Sequence, residues 1–137
     1  MGRVINPDRA GVERNRLVKT VAAANRMLIH QAEINMQTRD LAAYIALGLE
    51  AIARTIDPTV DAWEKRGYWL KADRFRMDWA WAEKLGGKMR TAVLSEDWAS
   101  VATTAASLAE KLVKVVEPKR TSTAQPWVGA LDKLRQK

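Results

Sequence analysis

The stretch from residue 68 to residue 85, YWLKADRFRMDWAWAEKL, constrains the fold most, because it holds three of the six tryptophans together with Tyr68 and Phe75. At roughly 100° per residue, a helix that starts at Pro58 and includes this stretch has two apolar stripes. The first stripe comprises Trp63, Leu70, Met77, Trp81 and Leu85, and the second comprises Tyr68, Ala72, Phe75, Trp79, Ala82, Met89 and Val93. Two such stripes cover more than half of the circumference, which predicts a central helix with several neighbours.

Trp69 breaks this pattern, because it falls on the polar side of the same helix. Its neighbours at helical spacing are charged: Lys65, Arg66, Asp73 and Arg76. A large ring among cations, with no core to enter, indicates a contact surface. The simpler interpretation is a singly exposed apolar side chain, which is common in proteins and needs no function.

Apolar periodicity predicts four long helices, over residues 7–31, 39–56, 58–94 and 95–116. Capping side chains mark the starts of the first three: Asn6 before Pro7, Asn35 or Thr38, and Asp57 before Pro58. The fourth starts at Ser95, with Glu96 and Asp97 in its first turn. The third helix is expected to continue through Gly67 and through the pair Gly86-Gly87, with a helix end at Gly86 as the alternative. Gly48 lies beside the apolar stripe of the second helix, where it would let another helix approach closely.

These helices predict an all-α fold, an antiparallel (up-down-up-down) four-helix bundle over residues 1–116. Residues 117–137 form a basic tail that is polar up to Gln125. Four apolar residues of the tail then follow at helical spacing: Trp127, Val128, Leu131 and Leu134. These four residues would bury too little apolar surface for the tail to fold alone. The tail is therefore predicted to dock as a short helix on the bundle or on a partner.

The net charge of +7 is unevenly distributed along the chain. Residues 1–35, 58–94 and 117–137 each carry +3, whereas residues 36–57 and 95–116 each carry −1. Four cations of the first helix project away from its core stripe and are expected to stay unneutralised by acidic residues: Arg9, Arg16, Lys19 and Arg26. Such asymmetry is typical of proteins that bind polyanions, although an ordinary solvated face would carry a similar stripe.

The residue types argue against an enzyme. The chain has no cysteine, and its single histidine is His30. A helical di-metal motif needs a glutamate three residues before the histidine, and this chain has Met27 at that position. The serines therefore have only His30 as a possible imidazole base, and the sequence LGGKM lacks the spacing of a phosphate-binding loop. We expect a non-catalytic protein with no cofactor and no bound metal.

We expect this protein to bind RNA or single-stranded DNA, alone or as a small subunit of a ribonucleoprotein complex. The predicted contact residues are Arg9, Arg16, Lys19, Arg26, Lys65, Arg66, Trp69 and Arg76. The alternative is a protein-interaction scaffold or homo-oligomer, because tryptophan is enriched at the energetic centres of interfaces. Its predicted interface residues are Trp69, Trp127, Val128 and Leu131.

A protein partner or a second copy is expected under either hypothesis, and no small-molecule substrate is identified. The longest apolar region, Leu41 to Leu49, is too short to span a bilayer, and the start of the chain lacks the apolar run of a signal peptide. These features predict a cytoplasmic protein without a membrane partner.

Overall fold

The computed structural model describes residues 7–113 and 125–136. These residues form helices and no strand, which confirms the predicted all-α class. The helices are α1 (Pro7–Ile29), α2 (Met36–Arg54), α3 (Ile56–Lys65), α4 (Trp69–Leu94), α5 (Trp98–Lys111) and α6 (Ala130–Arg135). The predicted cap Asn6 and the predicted end of the fourth helix at residue 116 lie outside the described residues. The up-down-up-down order of four helices is not confirmed and stays a prediction.

Helix α2 lies at the centre of the molecule, where it packs against α1, α3, α4 and α6. Seven of its apolar side chains are completely buried: Leu41, Ala42, Ala43, Ile45, Ala46, Leu49 and Ile52. At roughly 100° per residue they cover more than half of the circumference of α2. The several neighbours predicted for the tryptophan-rich helix are confirmed, because α4 packs against α2, α3 and α5. Its predicted central position is wrong, because α2 is more completely surrounded.

Two glycines allow helices to cross close to one another. A Cβ atom at Gly48 would lie 2.5 Å from Cγ2 of Val21, so α1 crosses α2 without room for a side chain there. A Cβ atom at Gly86 would lie 3.1 Å from Cβ of Leu49, so α4 also crosses α2 closely. The close approach predicted at Gly48 is confirmed. The helix also continues through Gly86 and Gly87 as predicted.

The helix predicted over residues 58–94 is broken at Gly67, so the prediction of continuity there is wrong. Gly67 has a φ of +81°, a left-handed conformation that glycine adopts without steric cost. The N–H of Gly67 donates to the carbonyl of Glu64 at 3.0 Å, and the N–H of Tyr68 donates to the carbonyl of Trp63 at 2.9 Å. This pair of hydrogen bonds is a Schellman ending. It ends α3 and lets α4 begin at Trp69.

The break changes which residues of α4 are buried. Leu70 and Met77, predicted on the first core stripe, are 83% and 73% exposed, so that part of the prediction is wrong. Their assignment assumed a helical phase that continued from Trp63 through Gly67. The second stripe is exposed at Tyr68 but buried or half-buried afterwards, at Ala72, Phe75, Trp79, Ala82, Met89 and Val93.

Helix α5 begins three residues later than predicted, because Ser95 ends α4 instead of starting the next helix. Glu96 takes a positive φ of 55°, and the N–H of Asp97 donates back to the carbonyl of Ala92 at 2.8 Å. The side chain of Asp97 then caps α5 by accepting the N–H of Ser100 at 3.1 Å. The connection is thus a tight turn with its own cap.

Candidate nucleic-acid interface

The corner between α3 and α4 exposes three consecutive large side chains. Tyr68, Trp69 and Leu70 are 53%, 61% and 83% exposed. Together with Gly67 and Lys71 they line an open cleft of about 560 Å³. Contiguous apolar surface that a chain leaves uncovered is frequently a binding surface. The exposure predicted for Trp69 is confirmed.

A cluster of aromatic side chains holds the two helices of the corner together. The rings of Trp63 and Phe75 meet edge to face with centroids 4.9 Å apart, and Phe75 contacts Trp79 at 6.2 Å. Nζ of Lys71 lies 4.5 Å from the centre of the Trp63 ring. Three buried side chains complete this small core: Ile56, Val60 and Ala72. Helix α3 is therefore held against the first half of α4, and the exposed rings have a rigid base.

Three of the predicted contact cations lie at this corner, but they differ in what they touch. Lys65 and Arg66 are exposed, and neither forms an ion pair within the described part of the chain. Arg76 donates to Glu64 at 2.7 Å and to Asp73 at 2.9 Å. The hydrogen bond with Glu64 raises the pKa of Arg76. Two carboxylates therefore offset the charge of Arg76. Lys65 and Arg66 are better placed than Arg76 to bind a phosphate.

The four cations of the α1 stripe face away from this corner. The guanidinium of Arg14, on the same helix, points towards α4, with its carbon 4.8 Å from the centre of the Phe75 ring and 5.5 Å from that of Trp79. At 100° per residue the stripe projects roughly 120–160° from Arg14. Its members, all exposed, are Arg9, Arg16, Lys19 and Arg26. The structure thus separates the predicted contact residues into two differently directed surfaces.

The α1 stripe is also less uniformly basic than predicted. Nη2 and Nε of Arg16 donate to the two carboxylate oxygens of Glu13 at 2.5 Å and 3.1 Å. This bond lowers the pKa of Glu13 and raises that of Arg16. The expectation of an unneutralised stripe is wrong here, because Glu13 lies three positions before Arg16 and four after Arg9.

Of the predicted interface residues of the tail, Trp127 and Val128 lie just before α6 and Leu131 lies in its first turn. Leu131 is buried, and Trp127 packs half-buried against the core. Val128 is 62% exposed. Two of the three therefore contact their own chain, and Val128 resembles Trp69 in offering a largely exposed apolar side chain.

Sequence reasoning missed a buried arginine behind the corner. Arg14 is only 8% exposed, and its Nη1 donates to the carbonyl and hydroxyl oxygens of Thr55 and to the hydroxyl of Thr59, at 3.2–3.4 Å. Burial lowers the pKa of Arg14. The sequence signal was its spacing, because a residue three positions before Leu17 lies on the core stripe of α1.

The part of the chain that the structure describes contains no group of three His, Asp or Glu side chains placed to hold a metal ion. None of its helices combines the length and the apolar content that a bilayer crossing needs. Comparisons with protein-family models, with curated proteins and with solved structures gave no match to this chain.

Proposed function

We propose that this protein binds RNA or single-stranded DNA, without catalysing a reaction, through the corner between α3 and α4. The observation that carries this proposal is the sequence of two exposed cations, Lys65 and Arg66, and two exposed rings, Tyr68 and Trp69, around one turn. Proteins that hold single strands without sequence preference combine these two elements, rings on which bases stack and cations that follow the phosphates.

The two elements would contribute in physically different ways. A base stacked on the Trp69 ring contributes about 1–3 kcal/mol and depends little on salt. Each single-strand phosphate neutralised by a cation such as Lys65 or Arg66 adds about 0.7 to the log–log salt slope, because counterions are released. The α1 stripe, on another side, would add long-range attraction that salt screens over about 10 Å.

The scaffold that we propose for this surface is the antiparallel bundle of α1, α2, α4 and α5, with α3 and α6 attached. In its support, Nδ2 of Asn25 in α1 donates to the carbonyl of Ala105 in α5 at 3.1 Å. The close crossings at Gly48 and Gly86 join α1 and α4 to α2. A role as a subunit of a ribonucleoprotein complex and a cytoplasmic location belong to the same proposal.

Binding of a labelled, unstructured RNA oligonucleotide and of its DNA equivalent, measured by anisotropy at several salt concentrations, tests the role of the corner. The double variant Lys65→Ala, Arg66→Ala should bind more weakly and lower the salt slope by about 1.4, the value for two phosphates. The matched control, Lys133→Ala with Arg135→Ala, removes the same charge from α6. Helix α6 docks near the start of α2, at Asp40, whereas the corner lies at the far end of α3, which follows the last turn of α2. Equal effects of the two double variants, or no binding by the wild type at low salt, would contradict the proposal.

A protein partner is the second candidate, and a separate observation favours it. Leu70 and Met77 expose apolar surface that contacts to phosphates and bases would not use. Methionine and other apolar side chains are enriched in the buried centres of protein interfaces. These residues lie on the outer face of α4, so a protein contact there is compatible with nucleic-acid binding at the corner.

A further inference from the structure

The outer face of α4 carries six residues at alternating spacings of three and four. They are Leu70, Asp73, Met77, Ala80, Lys84 and Gly87, all of them exposed. We call this row the α4 seam. The same alternation forms the seam through which two helices pack side by side with interlocking side chains. Because all six are exposed, no described helix of the chain covers the α4 seam.

The α4 seam is complementary to the same seam of a second copy that runs in the opposite direction. When two copies run antiparallel about a point between residues 78 and 79, the opposite pairs are Leu70 with Gly87, Asp73 with Lys84, and Met77 with Ala80. Each pair joins a large side chain to a small one, or an acid to a base. A parallel alignment would instead set Asp73 against Asp73 and Lys84 against Lys84, and like charges directly opposite each other are destabilising.

The surface around the small members of the seam has room for the large ones. A Cβ atom added at Gly87 would have nothing within 4 Å, so the surface there is open to Leu70 of another copy. Leu70 and Met77 are 83% and 73% exposed, and methionine adapts its shape to irregular gaps. The side chain of Asp73 is 67% exposed, and its bond to Arg76 engages Oδ1 alone, so a lysine can approach Oδ2.

We propose that the α4 seam is a self-association surface and that its partner is a second copy of this chain, bound antiparallel. A two-fold axis through the centre of the seam would repeat each of the three contacts. The Trp69 corners of the two copies would then lie at opposite ends of the paired helices, roughly 30 Å apart. Self-association of this kind does not depend on nucleic-acid binding, so either can fail without the other.

A charge swap in the full-length protein tests the alignment. Asp73→Lys sets lysine against lysine at both ends of the seam, and Lys84→Asp sets aspartate against aspartate. Each single variant should raise the dimer Kd at least about tenfold, because opposed like charges disfavour an interface strongly. The double variant restores both pairs with the order reversed, and its Kd should return to within about threefold of the wild-type value. Sedimentation over a series of protein concentrations measures all four constants.

The apolar contact is tested by Leu70→Ala, which should raise the dimer Kd about tenfold or more. The control is Val12→Ala, which truncates an apolar side chain that is 70% exposed on α1 and should leave the Kd unchanged. Circular dichroism of each variant verifies that these surface substitutions leave the helices folded. A wild-type protein that stays monomeric at every concentration would overturn the proposal. So would a dimer that responds to none of these changes, or single charge reversals that the double variant fails to rescue.

Discussion

The carboxylate of Asp40 in α2 accepts the backbone N–H of Leu131 in α6 at 3.1 Å, across 91 positions of sequence. Its second oxygen accepts the N–H of Gly129 at 3.2 Å. The N–H groups in the first turn of a helix have no partner within that helix. Gly129 occupies the cap position of α6 and has no side chain to supply one, so Asp40 takes over that role from α2. This bond pair, together with the burial of Ala130, Leu131 and Leu134, holds the six-residue helix in place.

Asp40→Ala should lower the free energy of unfolding by about 2 kcal/mol, the usual effect of losing a charged cap that accepts one buried and one partly buried bond. Urea denaturation measures the loss, and hydrogen exchange should show residues 130–135 opening before α1. Asp132→Ala, an exposed acidic residue of the same helix, is the control and should leave stability nearly unchanged. Unaltered exchange in α6 of the Asp40 variant would show that the apolar contacts alone hold it.

Gly48→Ala and Gly87→Ala should have opposite effects on stability. Both positions lie inside helices, where alanine is favoured over glycine by up to about 1 kcal/mol. At Gly87 nothing opposes this gain, because the surrounding space is open. At Gly48 the new methyl group would lie 2.5 Å from Val21, and the resulting overpacking should cost about 1–3 kcal/mol. Thermal unfolding at low protein concentration compares the two, and an equal gain at both positions would contradict the close crossing of α1 and α2.

Substitutions of Arg14 should separate its packing role from its charge. Arg14→Ala removes the side chain that lies over Phe75 and Trp79, and should cost about 2–4 kcal/mol. Arg14→Met keeps most of that volume and removes a buried cation, so its cost should stay below about 1.5 kcal/mol. Urea denaturation of both variants measures the difference. A methionine variant as unstable as the alanine variant would show that the hydrogen bonds to Thr55 and Thr59 dominate.

Asp97 should make the start of α5 sensitive to acid. The hydroxyl of Ser100 donates to its carboxylate at 2.6 Å and the N–H of Ser100 at 3.1 Å, and these bonds lower the pKa of Asp97 in the folded protein. A lowered pKa means that ionised Asp97 stabilises the fold above its unfolded-state pKa. That contribution is lost as the pH falls through the folded-state pKa. The stability difference between wild type and Asp97→Asn should therefore shrink on acidification, and a difference that is constant with pH would contradict this role.

Two features that depend on local sequence were predicted well, but the helix starts expected at Asp57 and Ser95 were wrong, because Thr55 precedes α3 and Ser95 ends α4. Asn35, one of two candidate caps, accepts the N–H of Thr38 at 3.0 Å, and Thr38 in turn bonds the N–H of Asn35 as its capping-box partner. The exposure of Trp69 followed from Asp73 and Arg76, charged residues at helical spacing from it within α4. Such features are decided within one or two helical turns, so the sequence alone contains the information.

Apart from the close helix approach at Gly48, features that depend on distant contacts were not predicted. An isolated glycine costs a helix only about 1 kcal/mol, so the sequence at Gly67 allows both a continuous helix and a break. The packing of Trp63 on Phe75 across the corner is a contact between two helices, and the sequence pattern does not show it. For the same reason the pairing of Arg76 with Glu64, twelve positions away, was not foreseen. The candidate site was therefore identified by residue type, and its division into two surfaces needed the fold.

The central claim, that nucleic-acid bases stack at the α3–α4 corner, is tested most directly by the salt dependence of RNA binding for wild type and Trp69→Ala. The substitution should weaken binding by about 1–3 kcal/mol at every salt concentration and leave the log–log slope unchanged, because a stacked ring carries no charge. Val128→Ala, which alters a similarly exposed apolar residue on α6, should change neither quantity. A Trp69 variant that binds as tightly as the wild type, or one whose only change is a smaller salt slope, would contradict stacking at the corner.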